Sequence, residues 1–480
     1  MIDIALIREK PEWVKEQINK LHDETALARI DTIVALDKRR RELLTEAEAI
    51  KANRNQLNKQ MGRFRGNKQL TPAQTVAAVN RVIAALEAGD IDAALDGMTN
   101  PPAEADLPDA TKEDVAAAFD ILTERLKRLG TRVGELDAEI AEVEASLTEQ
   151  QLWIPNLPHE SVPLGASEEE NKIWTPQGTM RAFDFDPLPH WDLGPALDII
   201  DFERGVKLSG TRFYILKGMG ARLYRAMIAW LLDVHTTQHG FTEIYPPFMV
   251  HEDALYGSAQ FPKFRDVVYF DQESELYMLP TAEVALTNMH AGEIFDPDQL
   301  PLYYVSHTPC FRREKMSAGR DVRGLKRVHQ FEKVEMYKFT TPETSYAELE
   351  SLTEAAEHVC AMLEIPYRRL EIVTGDLGFS AAKKYDVEMW APGSQEWLEV
   401  SSCSNTEEFQ ARRANIRYRP EPGARPRFVH TLNGSGLGMV RALIAVIENY
   451  QQRDGSVMIP TVLKPYMGGL EVIEPGAKSD

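Results

Sequence analysis

Cysteine is scarce in this chain: Cys310, Cys360 and Cys403 are its three, far apart and with no CxxC pair. That spacing argues against both a disulfide framework and a cysteine zinc site, and it points to reduced thiols. Long apolar runs are missing as well. No stretch approaches the ~18 residues of an ordinary transmembrane helix, and the opening MIDIALIREKPEW lacks a signal-peptide core, so a cytoplasmic chain with no membrane role is expected. Positive charge is in deficit, with 54 Lys and Arg against 74 Asp and Glu and a formal net charge of −20. Phosphate binding rests on Lys and Arg, so any nucleic-acid contact must come from local patches. The chain has no GxxxxGK[ST] phosphate loop. His235 and His239 sit four apart on a helical stretch, but residue 236 is Thr rather than the Glu of HExxH, and no third zinc ligand is suggested nearby.

What is present begins with length. A chain of 480 residues exceeds what one core usually serves, and 43% hydrophobic residues can bury two or more domains. A division falls near residues 155–163, giving an N-terminal part, 1–160, and a second part, 161–480. Upstream, Ile33, Leu36, Arg40, Leu43, Ala47, Ile50, Arg54, Leu57 and Met61 repeat at steps of three and four. Phe119, Leu122, Leu126, Leu129, Val133, Leu136, Ile140, Val143 and Leu147 do the same. These are heptad seams on two helices on the order of 45–50 Å long, folding back as an antiparallel coiled-coil hairpin. Such a hairpin could dimerise, act as a scaffold arm or read RNA. Basic residues outnumber acids over 38–68, which suits either an RNA patch or a solvated helix face. At the tip, residues 66–110 hold a further helix that Thr71 can cap, with Pro72 in its first position and Val76, Val79, Val82, Ile83 and Leu86 on its apolar side.

The second part carries the chemistry. Within residues 311–339, FRREKMSAGRDVRGLKRVHQFEKVEMYKF, two strand-like stretches flank a basic turn. Alternation puts Phe331, Lys333, Glu335 and Tyr337 on one face, with Val334 and Met336 on the other. Arg312 and Glu314 share a face of the preceding strand. One sheet face thus offers a guanidinium, two carboxylates and an aromatic ring, which suits an anionic planar ligand such as ATP. Three other clusters stand out. TAEVALTN, 281–288, places Thr281 and Glu283 where they could accept from an ammonium group, or where Thr281 is an ordinary helix cap. Glu399, Ser401 and Ser402 supply oxygens of the kind Mg²⁺ prefers. HTLNGSGLGMVRALIAVIENYQ, 430–451, feeds a Gly-rich turn into a helix bearing Arg441. Elsewhere, helices are expected over 191–210 and 218–239, with a strand over 212–216 and another, broken by Pro246 and Pro247, after Gly240.

FRRE…AGRD.RGL.R.HQFEKVEM resembles motif 2 of the class II aminoacyl-tRNA synthetases, in detail that of the bacterial seryl-tRNA synthetase family. Helix 218–239 with Pro247 resembles the dimer-forming motif 1, and 430–451 resembles motif 3. IPNLPHESVP, 154–163, looks like that family's exit from its N-terminal arm. The resemblance implies an α+β fold: a class II antiparallel sheet flanked by helices, plus a coiled-coil arm that grips tRNA. It further implies a cytoplasmic homodimer that activates L-serine with ATP and transfers it to tRNA(Ser), with tRNA(Sec) an open second acceptor. Arg312, Glu399 and Arg441 would be catalytic, Arg312 bridging the α-phosphate and the serine carboxylate and Arg441 clamping the γ-phosphate. Thr281, Ala282, Glu283, Arg312, Glu335 and Ser435 would hold serine. ATP would meet Arg312, Arg313, Glu314, Val328, Phe331, Glu399, Val400, Ser401, Ser402 and Arg441, with Mg²⁺ on Glu399 and Ser402. Three departures from the family pattern are the tip insertion, Arg313 where serine is commoner, and Ala285 in place of proline. Lys315-Met316-Ser317 matches the start of a class I KMSKS loop, but it lies in motif 2 and no Rossmann pattern surrounds it. Two other readings are a paralogue that aminoacylates a carrier protein, which the complete arm disfavours, and a non-catalytic RNA-binding relative, which would have lost Arg312, Glu399 or Arg441.

Overall fold

The computed structural model describes residues 1–104, 107–315 and 323–475. Most of the expected basic turn between the two motif 2 strands, including Met316 and Ser317, lies outside them. Packing divides the chain into two compact units, 29–151 and a larger one formed by 1–28 together with 152–480. The first 28 residues, grouped by sequence with the arm, pack with the larger unit.

The smaller unit is helical. α1 (Glu24–Arg65) and α4 (Lys112–Leu152) are its long helices, with α2 (Pro72–Glu87) and α3 (Ile91–Thr99) between them. At 42 and 41 residues the long helices reach about 60 Å, beyond the expected length, because both continue past the heptad seams. The seams are buried as their spacing requires: Leu43, Ala47, Leu136 and Ile140 form one cluster. Arg40–Glu144 at 2.7 Å, Lys51–Asp137 at 2.8 Å, Arg132–Glu46 at 2.9 Å and Arg39–Glu139 add ion pairs across the hairpin. Thr71 caps α2 with a complete capping box, accepting from Gln74 N while Gln74 accepts from Thr71 N, and Pro72 takes the first position. Val79 and Val82 pack with Leu57, Met61, Phe64, Leu122 and Leu126. The tip therefore holds two helices where the sequence suggested one; α3 has only 9 residues, too few to show a sustained apolar repeat.

The larger unit is built on an eight-stranded sheet. Its strands are β1 (Lys172–Ile173), β2 (Thr242–Glu243), β3 (Leu302–Phe311), β4 (Gln330–Thr340), β5 (Tyr367–Glu371), β6 (Lys383–Ala391), β7 (Glu396–Asn405) and β8 (His430–Gly438). The spatial order is β1-β5-β6-β7-β8-β4-β3-β2, antiparallel except for β2 beside β3. One face packs on α5 (Gly218–Thr237), α7 (Ser345–Met362) and α8 (Met439–Tyr450), burying Met227, Trp230, Val334, Met336, Leu352, Leu443 and Ile447. α6 (Glu283–Asn288) sits over the other end of β4. Facing thus follows the expected alternation on β4, with Val334 and Met336 in the core and Phe331, Lys333 and Glu335 opposite, but burial does not, because Lys333 through Thr340 are all buried. All three cysteines are free and buried, and among the described residues no helix is long and apolar enough to cross a membrane.

Two expected elements are reorganised. The helix foreseen over 191–210 is two, His190–Ala196 and Phe202–Ser209, split by the short strand Ile200–Asp201 after Asp198 turns to φ 55°. The strand foreseen over 212–216 keeps only Ile215–Leu216, since Arg212 adopts φ 64°, outside the extended range.

Thr71→Ala removes the box and should cost about 1 kcal/mol, read as faster amide exchange in the first turn of α2. Leu122→Ala, fully buried in the tip cluster, should cost about 2–5 kcal/mol in urea unfolding. Equal effects would contradict this packing.

Candidate active site

On its open face the sheet forms a cleft of about 410 Å³, floored by β4, β7 and β8. The same alternation that sends Val334 and Met336 to the core turns Phe331, Lys333 and Glu335 into this cleft. Two register breaks then bring in residues whose sequence spacing forbids it. Opposite β6, the register passes from Glu399 to Ser401 while β6 advances one residue, so Val400 is the extra residue of a bulge. Glu399 and Ser402, three apart and destined for opposite faces of a regular strand, both line the cleft. Opposite β4, β8 passes from Ser435 to Leu437 and skips Gly436. Only glycine fits there, because a Cβ would come within 2.7 Å of His235 Nε2 and 3.0 Å of Val334.

The deep end of the cleft is an amino-acid-sized pocket of paired charge. Lys333 Nζ donates to Thr281 Oγ1 at 2.8 Å and pairs with Glu335, while Thr281 Oγ1 donates to Glu335 Oε2 at 3.0 Å. The Thr281 oxygen also accepts from Glu283 N at 3.3 Å, so this hydroxyl is fully engaged. Ala282, not Thr281, occupies the cap position of α6. Glu283 accepts from Gln410 Nε2. Burial pushes the Glu283 carboxyl up to about 7; the Glu335 charge adds to the rise, and Lys333 offsets part of it.

The shallow end is cationic. Arg312 Nε donates to the Pro280 carbonyl at 3.1 Å, and its guanidinium stands 5.2 Å from the Phe331 ring centre. Arg441 donates to the Glu399 carbonyl at 2.8 Å and lies 3.5 Å from the Glu399 carboxylate. The Glu399 side chain is 47% exposed to the cleft; partial loss of water among its neighbours opposes ionisation, yet Arg441, Lys384, Arg312 and Arg327 together hold its carboxyl below the usual range. Ser402 hydrogen-bonds the buried Asp386, whose carboxyl is pushed up to about 7 by burial and by the Glu399 charge, against the pull of Lys384. Asp386 Oδ1 has no hydrogen-bond partner among the described residues. An ionised carboxylate, a hydroxyl and an unsatisfied buried oxygen behind them fit a hard divalent cation shared with phosphates.

The cleft gathers Thr281, Glu283, Arg312, Glu314, Val328, Phe331, Glu335, Glu399, Val400, Ser402, Ser435 and Arg441 from the sequence-derived set. Three others do not line it. Ala282 is buried under α6. Arg313 turns to the Val268 carbonyl at 3.2 Å and the Tyr269 ring. Ser401 is buried, donating to the Ser435 carbonyl at 2.5 Å. Lys333, Asn433 and Asp386 were given no role by sequence, and Arg327 only its place in the basic turn; among the first three Lys333 carried a signal, its place on the polar face of β4. The His235–His239 pair extends to His358 through ring contacts of 2.9 and 2.8 Å, but His239 uses a different nitrogen for each. Among the described residues no group of His, Cys, Asp and Glu could hold a metal by itself.

Known proteins resemble this chain in sequence and fold. Residues 266–450 match the tRNA synthetase class II core domain (G, H, P, S and T), and residues 1–96 match the seryl-tRNA synthetase N-terminal domain. A Roseiflexus sp. (strain RS-1) protein named serine–tRNA ligase is 53% identical, covering 98% of this chain and 99% of its own. A Chloroflexus aurantiacus protein of the same name is 49% identical, covering 99% and 100%. The crystal structure of seryl-tRNA synthetase from Pyrococcus horikoshii complexed with ATP superposes with a TM-score of 0.84 at 36% identity, covering 99% of this chain and 100% of that one.

Glu283→Gln tests the electrostatics of the pocket. The folded state holds this proton between about pH 4.5 and 7 and the unfolded state releases it, so the contribution present at low pH is lost as pH rises through 7. The variant lacks that loss. Its stability relative to wild type should rise by roughly 2–3 kcal/mol from pH 5 to pH 8 in urea unfolding; a pH-independent difference would contradict the assignment.

Proposed function

Because the chain belongs to the seryl-tRNA synthetase family of class II aminoacyl-tRNA synthetases, we propose that its cleft performs both steps of serine charging with the residues gathered there. As a serine–tRNA ligase it consumes ATP to form seryl-adenylate and pyrophosphate, then passes serine to the 3′ end of tRNA. The observation that carries the residue assignment is the segregation of charge, paired and buried at one end of the cleft, cationic at the other.

In the first step the serine carboxylate attacks the α-phosphorus of ATP, anion on anion, so fixed cations matter more than a general base. Among the described residues Arg312 donates through Nε, to the Pro280 carbonyl, and its terminal nitrogens would bridge the carboxylate and the α-phosphate. Arg441 takes the γ-phosphate. Adenine stacks on Phe331, with edge contacts from Glu314 and the backbone at Val328. Glu399 and Ser402, with Val400 between them, would hold Mg²⁺, which when bound neutralises phosphate charge. Glu283 receives the serine ammonium together with the main chain at Thr281 and Ala282, and Glu335 and Ser435 meet the hydroxyl. Arg313 and Ser401 act from behind the cleft, bracing the strand end and the Ser435 carbonyl.

For tRNA the arm supplies the surface. Arg39, Arg40 and Lys51 are committed to ion pairs across the hairpin, whereas Lys59 and Arg63 are exposed on α1. The tip insertion is acidic, with Glu87, Asp90 and Asp92 exposed, which favours contacts along α1 over the tip. A homodimer is supported by the apolar Leu208 and Tyr245, 75% and 80% exposed on either side of the motif 1 helix in the chain. The reaction belongs in the cytoplasm, where charged tRNA is used; whether tRNA(Sec) is also charged turns on features of the RNA.

Serine-dependent ATP–pyrophosphate exchange followed by tRNA charging tests the assignment. Arg312→Ala should abolish exchange. The double substitution Lys59→Ala and Arg63→Ala should leave exchange intact while weakening charging and lowering the salt slope of tRNA affinity by about 2. Exchange that survives Arg312→Ala, or falls in the arm variant, would refute the division of labour.

A further inference from the structure

One charged side chain at the deep end of the cleft has no part in the roles above. Lys333 is 9% exposed, and its ammonium reaches both Thr281 Oγ1, at 2.8 Å, and Glu335. Glu335 is 2% exposed, and the Thr281 hydroxyl closes the triangle on the same carboxylate oxygen that Lys333 pairs. The three groups come from two elements: Lys333 and Glu335 are neighbours on one face of β4, and Thr281 precedes α6.

A carboxylate buried this deeply without a cation is costly, and it would select any ligand that brought one. Here the cation is built in. We propose that Lys333 is a specificity-determining residue of the serine pocket: by matching the charge of Glu335 from within the protein, it makes that carboxylate an acceptor for a neutral hydroxyl. It thereby rejects an otherwise isosteric amino acid whose β-substituent is an ammonium, 2,3-diaminopropionate being the smallest such molecule. This rests on the reading that Glu335 faces the serine hydroxyl.

The physical logic is a balance of charge at one point. With Lys333 in place, a β-ammonium would approach a carboxylate already neutralised and meet a second ammonium bound to the same oxygen, and such like-charge juxtaposition is strongly unfavourable. A β-hydroxyl donates to Glu335 without that repulsion. With Lys333 replaced by an apolar residue, Glu335 is left unmatched. The β-ammonium then restores the missing charge and the hydroxyl does not.

The test is ATP–pyrophosphate exchange by the full-length protein with serine and with L-2,3-diaminopropionate, for wild type, Lys333→Met and Lys333→Arg. Wild type should exchange with serine and neither use nor be competed by the diamino acid. Lys333→Met should raise KM for serine and move the ratio of kcat/KM toward the diamino acid by about 100-fold, and Lys333→Arg should restore its rejection. An unchanged ratio in Lys333→Met with a normal KM for ATP would overturn the proposal. So would wild type competed by the diamino acid as tightly as by serine, a result that needs no variant to fold. Absence of any serine-dependent exchange in wild type would instead refute the reading of the site, so the two failures are separable.

Discussion

The two-faced strand β4 is the constraint on which the rest of the larger unit depends. Val334 and Met336 lock one face into the helices, and a one-residue slip would drive Lys333 and Glu335 into that core. Because such a slip is prohibitively expensive, the register of β4 against β3 and β8 is fixed, and with it the place of every charge on the open face. The hydrophobic pattern is thus also what orients the polar site.

Position alone does not make the charges useful; their mutual shielding does. Glu399 stays ionised because four cations surround it, while Glu283, buried beside another carboxylate, holds its proton to near neutrality. Two carboxylates of the same type are thereby set to different tasks by environment. The first suits a site for phosphates and a divalent cation, and the second can meet an incoming ammonium by releasing a proton. The bulges at Val400 and Gly436 deliver side chains to this arrangement that a regular strand would point elsewhere.

Local pattern made much of this readable in advance. Alternation over 328–339, the two heptad seams and the Thr71-Pro72 helix start are short-range signals, and the structure follows each of them. What escaped was non-local or conformational. The bulges depend on partner strands, so Glu399 and Ser402 could be grouped by family resemblance but not by periodicity. The engagement of the Thr281 hydroxyl by Lys333 requires knowing that residues 281 and 333 meet. The basic stretch over 38–68 looked like one patch, yet several of its members are spent on acids of the returning helix. The break in 191–210 turns on the positive φ of Asp198, which no apolar pattern announces.

The central claim is that a buried, charge-matched pocket reads a hydroxyl, and discrimination between serine and alanine in pyrophosphate exchange tests it most directly. A site whose buried acceptors need that hydroxyl should favour serine by on the order of 10⁴ in kcat/KM. Activation of alanine to within about tenfold of serine would contradict the account, since a pocket tolerant of the missing group is one in which Glu335 and Ser435 do not contact it.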